Sequence, residues 1–102
     1  MLGRAKELII SGGVNVYPRE IEVALEGHPN IVEVAAFGVP HPQWGETVKA
    51  VVVLREPVAD LQAELSAFLE PLLADYKRPR LYAEMQALPR NANGKVMKHQ
   101  LS

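Results

Sequence analysis

Cysteine is absent from the 102 residues. Disulfides, thiolate nucleophiles and sulfur ligation of metals are thereby excluded, and the composition is compatible with a reducing compartment. Long apolar runs are missing as well, since stretches such as "AVVVL" (50–54) are far too short to span a bilayer. The first ten residues, "MLGRAKELII", place a glycine and three charges where a secretory signal needs an apolar segment. Neither charge sign dominates: 11 Lys and Arg stand against 12 Asp and Glu, a net charge of −1. No global field draws the chain toward nucleic acid or acidic lipid. His28, His41 and His99 are scattered without the spacing of metal ligands, which points to surface or loop-packing roles and to no metal site.

What is present is an ordinary globular composition, 48% hydrophobic and 23% charged, in a length that suits one small domain. The chain opens almost directly on "GRAKELIISGG", as a domain cut from a longer protein would. "KELIISGGVNVYP" reads as two short strands joined by a glycine turn. Pro18 then suits the first turn of a helix in which Ile21, Ala24 and Leu25 recur at helical spacing, ended by Gly27 and Pro29. Residues 31–40 and 47–55 are rich in β-branched side chains and read as strands, the second central, around a Pro- and Gly-punctuated loop at 38–46. Residues 60–76 carry leucines at helical spacing, with Pro71 predicting a kink or two abutting helices. A strand at 80–85 and the first turns of a helix at 96–101 complete the order ββαββαβα. The expected fold class is α+β: a small β-sheet flanked by helices, with an N-terminal two-stranded hairpin.

Four blocks stand in order along the chain: "GRAKELIISGGVNVYPREIE", "FGVPHPQWGE", "YKRP" and "LPRNANGKVMK". Together they closely resemble the C-terminal lid domain of the adenylate-forming acyl-CoA synthetases, a superfamily shared with carrier-protein-loading adenylation domains and beetle luciferases. The resemblance covers essentially the whole chain. It implies that residues 1–102 form a single lid domain, and that a large N-terminal domain binding ATP, Mg2+ and a carboxylic acid lies outside this chain. In such enzymes the lid closes in two orientations. One makes acyl-AMP and pyrophosphate, and the other passes the acyl group to the thiol of CoA. The fragment alone is expected to be inactive, and the whole enzyme to be cytoplasmic, without a transmembrane segment or a nucleic-acid partner.

Residue by residue, the resemblance gives Lys95 the role of the adenylation lysine. A compact ammonium with three donors suits the phosphoryl oxygens on which charge develops. The Asn-Ala-Asn-Gly loop before it suggests delivery by domain closure, and Pro89, Gly94 and Lys95 match a pattern at which some bacterial members are acetylated. Lys6 matches the hinge and Arg4 a nucleotide contact, each with a plain surface role as its alternative. Ser11, Gly12 and Gly13 match the turn that lines the pantetheine channel, although the triplet alone is an ordinary hairpin turn. Ile10 stands where luciferases carry a lysine needed for oxidation, which weakens the light-emitting reading. Trp44 is either a loop anchor or a stacking platform for the adenine of CoA. Lys77, Arg78 and Arg80 are either a solvated basic cluster or partners of a CoA phosphate. Glu20 and Glu22 lie two apart on a helix and so face different directions, which argues against a catalytic pair. A carrier-protein-loading enzyme and a stand-alone binding module remain as alternatives.

Overall fold

The computed structural model describes residues 8–94, 96, 97 and 101. It begins with a hairpin of β1 (Ile9–Ser11) and β2 (Val14–Val16), in which Ile9 faces Val16 and Ser11 faces Val14. Both turn residues have positive φ, 58° at Gly12 and 83° at Gly13, the combination that a two-residue hairpin turn demands and that glycine supplies without strain. Helix α1 (Pro18–Glu26) starts on Pro18, whose missing N–H costs nothing in the first turn, and ends on Gly27.

Strand β3 (Ile31–His41) runs antiparallel to β4 (Gly45–Leu54), while β5 (Leu81–Glu84) lies parallel to β4 on its other side. The β1–β2 hairpin extends the sheet past β5 through one pairing, Ser11 with Gly45. β4 is thus central, as its continuous apolar run predicts. On one face Val48, Ala50 and Val52 pack with Ile21 and Leu25 of α1 and with Leu65 and Leu69 of α2 (Leu61–Leu69). On the other, Val51 and Val53 join Ala35, Phe37, Leu88 and Leu101 in a second, smaller core. The domain is α+β, with both helices on one face of the sheet.

Three local expectations change. The loop at 38–46 shrinks to a turn at 42–44, because β3 continues through Pro40 and pairs Pro40 with Glu46 and His41 with Gly45. Pro40 is tolerated because β3 is an edge. The outward N–H of Ala36 donates to the Glu22 carboxylate at 2.9 Å, and Pro40, four residues on, lacks its N–H on that same outer side. His41 Nδ1 accepts from the N–H groups of Gln43 and Trp44, each at 3.1 Å, and Gly45 takes a φ of 79° to close the turn. Next, α2 is capped at its start by Asp60, which accepts from the Ala63 N–H, and stops at Leu69 before Pro71. A single 3₁₀ turn, Asp75–Lys77, follows, so 60–76 is one helix and a separate turn. Finally, Val96 forms a β-bridge with Arg90 where a helix was expected to begin, and residues 98–100 lie outside the described residues.

Candidate functional site

The hairpin turn at Gly12 is fastened to β4 from two sides. Its Gly12 N–H donates to the Trp44 carbonyl at 3.0 Å, and the Ile10 N–H donates to Glu46 Oε1, also at 3.0 Å. A methyl group on Gly12 would meet the Trp44 ring at an ordinary 3.7 Å, and one on Gly13 would meet nothing within 4 Å. Within the domain, glycine is therefore required here for its positive φ and not for space. Ser11 contributes its backbone to β1 beside Gly45.

Next to this turn lies a cleft of about 120 Å3 lined by Gly12, Trp44, Thr47, Tyr76, Arg78 and Arg80. Trp44 stacks flat on His41, with centroids 4.2 Å apart and planes 9° from parallel, so it does anchor its loop. It is still 39% exposed, and the Arg80 guanidinium lies 5.6 Å from its ring centroid, within reach of a cation–π contact. Asp75 accepts from Arg80 at 3.1 Å and sits 3.4 Å from Arg78. The Arg80 hydrogen bond and charge, with a lesser contribution from Arg78, hold the Asp75 carboxyl below the usual aspartate range. Arg78 Nε is buried without a hydrogen-bond partner among the described residues. Two guanidinium groups against one carboxylate leave the cleft cationic beside an exposed indole face, which suits a phosphorylated aromatic ligand. Lys77 is directed elsewhere: its Nζ donates to Glu20 of α1 at 3.0 Å.

At the other end of the sheet the chain closes a second hairpin, its turn at 91–94. Arg90 bridges Val96, and the Met97 N–H donates to the Pro89 carbonyl at 2.8 Å. Inside, the Gly94 N–H donates to the Asn91 carbonyl at 2.9 Å, the Asn93 N–H to Asn91 Oδ1 at 2.8 Å, and Gly94 takes a φ of 83°. The Asn-Ala-Asn-Gly stretch is therefore an ordered turn and not the loose support its composition suggests. Lys95, the hinge candidate Lys6 and the nucleotide-contact candidate Arg4 all lie outside the described residues.

The candidate residues are thus distributed over two places. Ser11 pairs with Gly45 at the start of β4, whereas Arg90 is ion-paired to Glu33, which faces Val53 near its end. Eight residues of extended strand separate these anchor points, about 26 Å. Sequence reasoning noticed the basic cluster and Trp44 but not that they share a cleft with Gly12. Asp75, Arg90 and Glu33 it missed altogether. A mixed aromatic and basic composition in "HPQWG" and "DYKRPR" was the available signal for the first group. The Arg90–Glu33 pair joins residues 57 apart and leaves no local trace.

Among the described residues no group of three or more His, Asp or Glu is arranged to hold a metal ion. No described helix is long and apolar enough to cross a membrane. Among curated proteins, the chain is 44% identical over its whole length to the 2-succinylbenzoate–CoA ligase of Bacillus velezensis, of which it covers 20%. It is 46% identical over 96% of its length to the long-chain-fatty-acid–CoA ligase of Bacillus subtilis, covering 18% of that protein. Its fold matches the crystal structure of apo MatB from Rhodopseudomonas palustris with a TM-score of 0.89 at 45% identity, over 98% of this chain and 20% of that one. The chain therefore spans about a fifth of the length of the curated relatives it matches. Residues 20–95 match the family described as the AMP-binding enzyme C-terminal domain, and with more than half of its length inside that match the chain belongs to this family.

Proposed function

We propose that this chain is the mobile lid of an AMP-forming acyl-CoA ligase, which joins a carboxylic acid to CoA and converts ATP to AMP and pyrophosphate. The observation that carries this reading is the separation of the two candidate elements. The Gly12 turn is anchored at the start of β4 and the 91–94 turn, through Arg90 and Glu33, near its end, anchor points about 26 Å apart, so a rigid domain presents one or the other to a single reaction centre. A ligase with two half-reactions has a use for that arrangement.

In the first orientation Lys95 brings its ammonium to the α-phosphate as the carboxylate oxygen attacks the phosphorus and pyrophosphate leaves. The cation meets negative charge where it grows, and Arg4 contacts the nucleotide. In the second orientation the domain turns about Lys6, and the Ser11–Gly13 turn enters the centre to line the passage for pantetheine. The cleft beside that turn then holds the distal part of CoA. Trp44 offers its exposed face to the adenine, and Arg78 and Arg80 meet the phosphates. Thiol attack on the acyl carbonyl expels AMP, a leaving group that carries its own charge away. Mg2+, if it accompanies ATP, belongs to the other domain, which also selects the acid. The two relatives named above act by name on an aromatic dicarboxylate derivative and on long-chain fatty acids, yet this chain is nearly equally similar to both. ATP and CoA as co-substrates fit a cytoplasmic enzyme.

The deciding experiment is single-turnover kinetics of each half-reaction in the full-length enzyme, comparing wild type with Lys95→Ala. Acyl-AMP formation is expected to fall by about two to three orders of magnitude, with thioester formation from preformed acyl-AMP retained. A Lys95→Ala enzyme that adenylates at the wild-type rate overturns the assignment. Lys95→Arg is expected not to rescue, because reach and shape matter along with charge.

A further inference from the structure

Beyond the packing of Leu88 and Val96, a bidentate side chain ties the 91–94 turn to the sheet. Arg90 NH1 donates to the Gly94 carbonyl at 2.8 Å, and Arg90 NH2 is hydrogen-bonded to Glu33 Oε1 on β3. That carbonyl belongs to the peptide group joining Gly94 to Lys95, and the group is planar, so gripping its oxygen fixes the direction in which the chain enters Lys95. The acceptor Glu33 is put in place by an irregularity in β3. Ile31 pairs with Leu54 and Glu33 with Val53, leaving Val32 as an extra residue. Such a bulge reverses the alternation of faces. Ile31 accordingly belongs to the core under the helices, whereas Glu33 shares the face of Ala35 and Phe37, the one covered by Leu88 and Val96.

We propose that Arg90 is a positioning residue for adenylation, using Glu33 as its fixed post to aim the peptide that precedes Lys95. This rests on the role given to Lys95 above. The side chains of the pair are 43% and 29% exposed, and ion pairs so placed add little to folding stability. The geometry they impose on Gly94 is the more consequential effect. Arginine suits the task because its planar fork reaches two acceptors in fixed directions, which a single ammonium does not.

The test uses the full-length enzyme and follows both half-reactions with melting temperature. Arg90→Gln is expected to slow acyl-AMP formation about tenfold or more while thioester formation from preformed acyl-AMP stays within about twofold. Glu33→Gln should have a smaller effect of the same kind, since the post is weakened but the Gly94 bond is kept. The exchange Glu33→Arg with Arg90→Glu restores an ion pair but no donor to the Gly94 carbonyl, so melting temperature should stay near wild type while adenylation stays low. Recovery of adenylation by the exchange makes the pair merely structural and overturns the proposal, as does equal loss of both half-reactions in Arg90→Gln. Should Arg90→Gln fold poorly, Arg90→Lys reads the same split. Lys95→Ala separates the two levels: if it abolishes adenylation and the Arg90 variants do not, this inference alone fails. If it leaves adenylation intact, the reading of Lys95 fails and the positioning role with it.

Discussion

The two hairpin turns of this domain solve opposite problems. At Gly12 and Gly13 the chain is stripped of side chains, and what matters is a backbone at φ 58° and 83° with open space above Gly13. At 91–94 the turn is dressed: Asn91, Arg90 and Glu33 all spend polar groups on it. On the proposed function, the first suits a surface past which something long and thin slides. On the same proposal, the second suits a tool that arrives at one point with one orientation. Their anchor points on the sheet, Gly45 and the Glu33–Val53 pair, lie about 26 Å apart along β4, so on the proposed function engaging one turn holds the other away.

Lys6→Pro should break the exchange between the two ends most severely. Proline fixes φ near −65°, so the orientation needing another value is lost, and one half-reaction should drop about a hundredfold with the other largely kept. Normal rates for both would remove Lys6 as the pivot. Gly12→Leu should act at one end only, slowing the thioester step about tenfold more than adenylation. Gly12→Asn is the control, because asparagine accepts the left-handed backbone that leucine resists. If Asn is tolerated where Leu is not, backbone strain and not channel space explains the loss. Arg80→Ala removes the cation over Trp44 and should raise KM for CoA about tenfold at low salt, less as salt screens it, with adenylation unchanged.

The smallest effect is expected from Asp75→Asn. The Asp75 carboxyl titrates below the usual aspartate range because Arg80 and then Arg78 favour its charged form. A depressed folded-state value contributes stability above the unfolded value, and that contribution disappears as pH falls through the folded one. Thermal melts at pH values below the aspartate range should therefore converge for wild type and Asp75→Asn, with a slight wild-type advantage only at higher pH. A constant gap across the whole range would show that the carboxylate acts through packing and not charge.

Much of the fold was legible because its signals are local. A Gly-Gly pair between alternating valines dictates the first hairpin, and Pro18 with Ile21 and Leu25 dictates α1. Family blocks singled out Lys95, Lys6, Arg4 and the Ser11–Gly13 turn, whose roles stand as proposals. What escaped was tertiary. At Pro40 the expected strand (31–40) and loop (38–46) overlap, and only the identity of β3 as an edge, with Glu22 across from Ala36, decides for the strand. The cleft depends on Arg78 and Arg80 being carried to Trp44 by the parallel pairing of β5 with β4. Lys77, adjacent in sequence, is drawn instead to Glu20. Val96 was read as helical because its neighbours suit a helix, but pairing with Arg90 claims it.

The outer margin of β3 has a further consequence. An open strand edge is a template on which other chains can stack by backbone pairing. Here Glu22 occupies the Ala36 donor and Pro40 deletes the next donor but one along that side. The strand is left without the regular ladder that fibre growth requires. A carboxylate and an imino acid thus blunt this edge against pairing with copies of the chain.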